Sequence, residues 1–350
     1  MKPLGVGVVG AGHWGERHAY AYHHQPQARL VAICDIDQAR VESVAKRYGA
    51  ERVYHQLERF LEDSEVEAVS IALPDHAHTE VALACASSGR HILVEKPLAL
   101  TVEECNSIIR AANASGVRLM VDFANRWNAP FVKAKNLIGS GQISPPRFAH
   151  IRLNNTISVP TEMLNWSSRS SVLWWIGSHA IDMARWLFAD EVETVSSVAG
   201  WGRLQTMGID AADFYNTTLQ FERGGIAVIE NCWILPNSHP GLVDFKAQIV
   251  SDTGMLTIDP LSHRALEHID DNGIHRPDFF YDHEVGGIPQ GAFIDAVAHF
   301  VESVQTDQPP SVTGQDGAEV TRVILAALTS AESGVRVNLE KRATRAGGTG

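Results

Sequence analysis

The chain has 350 residues, 45% hydrophobic, 20% charged and 7% aromatic, which suits two domains with separate cores and argues against a disordered chain. Its formal net charge is −12 with no block of Lys and Arg, so neither a nucleic-acid surface nor an anionic membrane patch is expected, and the partner is read as a small molecule. Cys34, Cys85, Cys105 and Cys232 stand far apart, against a disulfide framework or clustered zinc site and in keeping with a reduced cytoplasm; no signal peptide or membrane-length apolar run is visible.

From Leu4 to about Asp122, the apolar runs LGVGVV, RLVAIC, AVSIAL, HILVE and RLMVDF alternate with helical patterns at 37–48, 77–88 and 101–115. That alternation predicts an α/β domain over residues 1–124 with a parallel sheet covered on both faces. Beyond it come β-like runs near 147–157, 192–202, 213–221, 225–234, 243–250 and 254–258, and one strongly apolar helical stretch near 172–188. Residues 125–340 therefore read as an α+β domain on a large open, mainly antiparallel or mixed sheet. Helices at 291–305 and 316–333 close this domain or pack back on the first, and the polar tail 341–350 is expected to be disordered.

Gly10-Ala11-Gly12-His13-Trp14-Gly15 follows the first strand and opens a helix, the context in which GxGxxG reads as a dinucleotide-binding Rossmann fingerprint. Gly10 permits the tight turn, Gly12 lets the backbone approach the pyrophosphate, and Gly15 lets helix and strand pack; His13 and Trp14 between them belong to the same cofactor site. Asp35 lies twenty residues beyond Gly15, where a carboxylate accepts from ribose hydroxyls and repels a 2′-phosphate. Ile36 and Asp37 follow it, with no Arg immediately after, so NAD is expected over NADP. No metal is expected, because none of the sixteen histidines forms an HExxH pair, and the GxSxG elbow of a hydrolase is missing too.

Val94-Glu95-Lys96-Pro97-Leu98, with Pro74-Asp75-His76-Ala77-His78, the stretch 80–89, Asn125-Arg126-Trp127 and His179-Ala180-Ile181-Asp182 followed by Arg185-Trp186-Leu187, resembles the Gfo/Idh/MocA family over most of residues 5–236. The family is typified by glucose-fructose oxidoreductase and inositol dehydrogenase. The resemblance implies a site between the two domains and an open sheet that pairs subunits into a homodimer or homotetramer. The implied activity is NAD-dependent hydride transfer at a secondary alcohol carbon of a sugar, sugar derivative or cyclic polyol. Lys96 is implied to contact the substrate hydroxyl and the nicotinamide ribose, where an ammonium lowers the hydroxyl pKa and stabilises the developing alkoxide. Glu95 and Pro97 border and position it, Pro74 and His78 lie beside the nicotinamide, and His179 accepts the hydroxyl proton.

One position departs from the pattern. Dehydrogenases of this family often carry an aspartate four residues before the histidine, and here that residue is Trp175. Since an indole cannot take a proton, His179 works with Lys96 alone, or Asp182 on the same helix face supplies the negative charge, or the pocket is used differently. A His179 pKa held down by Lys96 is expected to give a rate that rises with pH through one group near neutrality. Trp175 packs in the core or offers a flat face to a sugar or cyclitol ring. Trp233, with Trp127 and Trp166, is expected near the same cleft, and Arg126 binds substrate or closes an interdomain ion pair. Two alternatives stay open: a cofactor-binding regulatory protein with little turnover, and an enzyme that oxidises a glycoside, eliminates a substituent and reduces the product again on retained NAD.

Overall fold

The computed structural model describes residues 2–260, 266, 268–270, 273–276 and 278–340; the tail 341–350, expected to be disordered, lies outside them. The first half builds β1 (Leu4–Val9), β2 (Ala28–Cys34), β3 (Arg52–Tyr54), β4 (Ala68–Ile71), β5 (His91–Val94) and β6 (Leu119–Val121). They form one parallel sheet in the order β3-β2-β1-β4-β5-β6. Every residue of β1, β4 and β6 is buried, which is why these strands read as unbroken apolar runs rather than alternating ones. Between them lie α1 (His13–His24), α2 (Gln38–Tyr48), α3 (Leu57–Leu61), α4 (His78–Ser87) and α5 (Val102–Ser115). Asp37 caps α2 by accepting from the Arg40 N–H, and Thr101 with Glu104 forms a capping box on α5. Strand order reverses between β1 and β4, so the crevice beyond their carboxyl ends is where a dinucleotide is received in this topology. The sequence reading had no counterpart for β3 and α3, which are too short to show a period.

The second half adds α6 (Ala129–Gly139), β7 (Pro146–Asn155), α7 (Ser178–Phe188), β8 (Val192–Gly200), β9 (Phe214–Phe221), β10 (Ile226–Cys232), β11 (Val243–Ser251) and β12 (Met255–Ile258). Two hairpins follow, β13 (His268–Asp270) with β14 (Gly273–His275) and β15 (His283–Val285) with β16 (Ile288–Gln290), then α8 (Ala292–Gln305), α9 (Gly314–Ser333) and β17 (Val337–Asn338). The large sheet runs β12-β11-β7-β10-β9-β8-β17 and is mixed: β10 is parallel to β7 and the other pairs are antiparallel. Its inner face, with Ile151, Leu153, Leu219, Ile229 and Phe245, is buried, while Phe148, Ile226, Val250 and Met255 stand exposed on the other.

Helix α9 packs on α5 and β6 of the first sheet and on β8 of the second, and α8 packs on α1 and the turn at 124–127, so both closing helices touch the first half. The helical stretch expected at 172–188 is divided. Leu173–Gly177 form a single π-helical turn ahead of α7, a local irregularity that re-aims side chains and often occurs at functional sites. No helix among the described residues is long and apolar enough to cross a membrane.

Candidate active site

Two cavities meet between the halves. One, of about 1030 Å³, follows the carboxyl ends of the parallel strands and is lined by Gly10, Gly12, Asp35, Pro74 and Glu95 among others. The other, of about 830 Å³, is lined by Asn125, Asn128, Asn155, Ile176 and His179 among others. His13, Trp14, Lys96, Met163 and Trp175 line both.

The first cavity fits a dinucleotide. Gly10 has φ +95°, and a Cβ there would lie 2.3 Å from the Ala72 carbonyl oxygen; at Gly15 it would lie 1.7 Å from the Gly10 oxygen. Gly12 faces open space, so its backbone is free to approach a phosphate, and α1 begins there without a side-chain cap on its N–H groups. Asp35 is fixed at the end of β2 by the N–H groups of Ala11 (2.6 Å) and Asp37 (2.8 Å). Arg40, five residues later, comes within 3.7 Å of the Asp35 carboxylate, yet it is tied to Asp37 at 2.9 Å. Two carboxylates thus face one guanidinium, which preserves the electrostatic bias against a 2′-phosphate.

Lys96, at the junction, is buried. Its Nζ donates to the Trp175 carbonyl oxygen at 2.8 Å and lies 4.2 Å from the centre of the Trp175 ring. Burial pulls the Lys96 pKa below the usual lysine value, and the neighbouring Glu95 charge opposes that fall. Behind the lysine, His18 Nε2 stands 3.2 Å from Glu95 Oε1 and 3.8 Å from Asp122 Oδ2, all three side chains being buried. Burial alone would push Glu95 up, but the hydrogen bond and charge of His18 and the charge of Lys96 hold it below the usual carboxylate range. Burial, reinforced by the Glu95 charge, pushes Asp122 well above that range.

His179 opens α7 just after the π turn. Its ring lines the second cavity, its Nδ1 is enclosed without a hydrogen-bond partner, and Phe123 meets it edge-on with centroids 6.0 Å apart. Burial first and the Lys96 charge second press its pKa down to about 3. The imidazole is therefore neutral throughout the ordinary pH range, so a rise in rate through a group near neutrality would have to come from a group other than His179.

Other sequence candidates lie elsewhere. Arg126 and Asp182 line neither cavity: the guanidinium grips Asp182 in a two-pronged pair at 2.6 and 2.9 Å and reaches Asp316 at 3.0 Å. Of the two roles open for Arg126, the structure shows the ion pair, and Asp182 is its partner rather than a substrate ligand. Trp233 is fully buried in the core, also outside both cavities. Trp127 packs against His299, whereas Trp166 lines the cofactor cleft and meets Trp175 edge-on. His78 is buried under the cleft, its ring nitrogens 2.7 Å from the Pro97 oxygen and 2.9 Å from the Leu73 oxygen; it braces the loops that carry Pro74 and Lys96. Cavity residues outside the sequence-derived set include Asn125 in the family-like Asn-Arg-Trp segment, Asn155 at the end of β7, and Arg17, Tyr281 and Asp282. The Arg17–Asp282 pair and the Trp14–Tyr281 contact bind the segment before β15 to α1.

A dinucleotide cleft opening onto a second cavity at one buried lysine defines a two-domain, nucleotide-cofactor oxidoreductase. The chain belongs to the Gfo/Idh/MocA oxidoreductase family. Residues 4–123 match the domain described as "Oxidoreductase family, NAD-binding Rossmann fold", and 131–257 match the "GFO/IDH/MocA C-terminal domain". The chain is 26% identical over 339 residues to myo-inositol 2-dehydrogenase of Thermotoga maritima, covering 96% of this chain and 98% of the relative. It is 30% identical over 261 residues to inositol 2-dehydrogenase of Rubrobacter xylanophilus, covering 74% and 72%. The structure of GenD2 from gentamicin A biosynthesis in complex with NAD superposes with a TM-score of 0.86 at 24% identity, covering 97% of each chain; a likeness at that identity shows the shared fold.

Proposed function

We propose that the protein is an NAD-dependent dehydrogenase acting on a secondary alcohol of a sugar, sugar derivative or cyclic polyol. The observation that carries this reading is the convergence of the Lys96 ammonium and the neutral His179 imidazole where the cofactor cleft meets the second cavity. The inositol dehydrogenases among its relatives support a cyclic polyol or a sugar ring as the substrate class.

Bound NAD supplies the two-electron acceptor. The glycine turn and the start of α1 hold its pyrophosphate, and Asp35 receives the adenosine ribose hydroxyls. Lys96 directs its ammonium at the substrate hydroxyl, lowers its pKa and stabilises negative charge on that oxygen. His179 accepts the hydroxyl proton, a task a neutral imidazole can perform without first losing a proton of its own. Trp175 contributes its backbone carbonyl and an apolar face rather than a titratable group.

We place the domain boundary at 124/125 and the protein in the cytoplasm, in keeping with four free cysteines. Its assembly as a homodimer or homotetramer is supported by the exposed row Met255, Val250, Phe148 and Ile226, neighbours across β12, β11, β7 and β10. The test is NADH formation with hexoses, inositols, sugar acids and glycosides. Lys96→Met is expected to bind NAD normally and to lose turnover by about 10²-fold or more. NAD binding without oxidation of any alcohol in the panel would favour the regulatory reading instead.

A further inference from the structure

Behind Lys96 lies a buried group of titratable side chains that the reaction described above leaves without a task. Glu95 follows β5, Asp122 follows β6, and His18 reaches both from α1, with exposures of 6%, 2% and 0%. His18 Nε2 stands 3.2 Å from Glu95 Oε1 and 3.8 Å from Asp122 Oδ2, and all three atoms lie within 4.8 Å of one another. Phe293 holds the imidazole edge-on at 5.1 Å between centroids, and Tyr22 flanks it at 6.5 Å. Its Nδ1 is enclosed without a partner, so the ring acts through Nε2. An ionised carboxylate only accepts, and the bond to Glu95 therefore places the hydrogen on Nε2.

Asp122 has no such donor. Both of its oxygens are enclosed and accept no hydrogen bond, whereas Glu95 accepts from His18 and, at 3.3 Å, from the Lys96 N–H. Two carboxylates this close in a dry site repel one another, and the charge settles on the acid with the better donor. The surrounding groups agree with that choice. Lys96 faces both acids, and His179 on α7 favours charge on Glu95. His78 on α4 faces Glu95, Tyr22 on α1 faces Asp122 and Tyr281 ahead of β15 faces both, none of them hydrogen-bonding either acid among the described residues. Charge on Glu95 matters at the reaction centre because burial draws Lys96 toward its neutral form, and Glu95 opposes this ahead of Asp75 and Asp122.

We infer that His18 is a positioning residue for hydride transfer: its Nε2–H fixes the negative charge of the Glu95–Asp122 pair on Glu95, and Glu95 keeps Lys96 an ammonium where the substrate hydroxyl binds. His18 lines neither cavity and acts only through Glu95. Its effect on turnover rests on the dehydrogenase reading, while the charge of Lys96 is measurable without turnover.

The experiment follows that charge in two ways on the full-length protein. One is the alkaline limb of kcat with NAD and the best alcohol of the panel. The other is the pH at which Lys96 becomes acetylated by acetic anhydride, read by peptide mass spectrometry. His18→Phe keeps the ring packing and removes the donor. Both readings are expected to move to lower pH by about one unit, a tenfold change in the ratio of ammonium to amine, with KM and NAD affinity within about twofold. His18→Gln offers an amide N–H in place of Nε2 and is expected to restore much of the shift. Asp122→Asn is expected not to lower either reading, and to reverse part of the His18→Phe shift in the double variant, because the competitor for the charge is gone. An unmoved acetylation pH in His18→Phe, or an equal shift in His18→Gln, overturns the inference. So does a shift to lower pH in Asp122→Asn, which would make Asp122 the counter-charge; this isosteric variant decides the question even where His18→Phe fails to fold. Acetylation that shifts as expected while no alcohol is oxidised leaves the charge assignment standing and counts against the dehydrogenase reading.

Discussion

Lys96 and Trp175 are joined twice, by the 2.8 Å hydrogen bond from Nζ to the Trp175 carbonyl oxygen and by the indole ring centred 4.2 Å from the same nitrogen. The carbonyl belongs to the π-helical turn 173–177 and survives any change of side chain. The ring favours the charged lysine through its negative face, an effect worth roughly 0.5–2 kcal/mol. The Trp175 ring therefore helps to keep the ammonium charged without a carboxylate at that position.

Changing the ring separates these contributions. Trp175→Ala is expected to move the alkaline limb of the rate profile to lower pH by on the order of 0.5–1 unit, because about 1.4 kcal/mol corresponds to one pKa unit. Trp175→Asp is expected to move it the other way, since a carboxylate within a few ångströms favours the ammonium. Measuring kcat against pH for both variants checks the pair; shifts of the same sign would show that Trp175 acts by packing alone.

A second prediction concerns His179. With its pKa pressed down to about 3, the imidazole is neutral at every pH above about 5, so no imidazole limb is expected between pH 6 and 9. Activity is expected to decline on the alkaline side as Lys96 loses its proton, earlier than an exposed lysine would. Loss of a general base costs about 10²–10⁴-fold, and His179→Ala is expected to fall in that range with NAD affinity intact. Near-normal turnover of His179→Ala would put the proton acceptor elsewhere.

The parts of this site visible in the sequence are those whose physics is local. The glycine turn, the helix it opens and the acid at the end of β2 sit at fixed chain distances because a nucleotide and one βαβ unit set the spacing. Pro130 in the first turn of α6 was an available signal for a helix that the sequence reading lacked. Arg126 and Asp182 are 56 residues apart and His78 is held by two carbonyl oxygens, and nothing in a local pattern marks such partners.

Cofactor choice gives a third prediction. Asp35 places a carboxylate where a 2′-phosphate would sit, and Arg40 is restrained by Asp37. Titration is expected to show tighter binding of NAD than NADP. Asp35→Ala should narrow the gap by about 1–3 kcal/mol, the scale of one charged hydrogen-bond partner. NADP affinity equal to that for NAD in the unaltered protein would contradict the role given to Asp35.

The last prediction separates structure from binding at Arg126. Its guanidinium joins three elements: the turn after β6, Asp182 on α7 and Asp316 in the first turn of α9, with Asp182 fully buried. Arg126→Met keeps much of the side-chain bulk but leaves the Asp182 carboxylate enclosed without its counter-charge, a change that costs about 3–5 kcal/mol. The unfolding midpoint is expected to fall by on the order of 5–10 °C. Adding Asp182→Asn removes the stranded charge, so the double variant is expected to recover part of that loss, a coupling that a double-mutant cycle measures directly. Because neither residue lines the cavity, the KM of the folded Arg126→Met enzyme is expected to stay within about twofold, the scatter of a site that loses no contact. A large rise in KM with an unchanged midpoint would return Arg126 to the substrate.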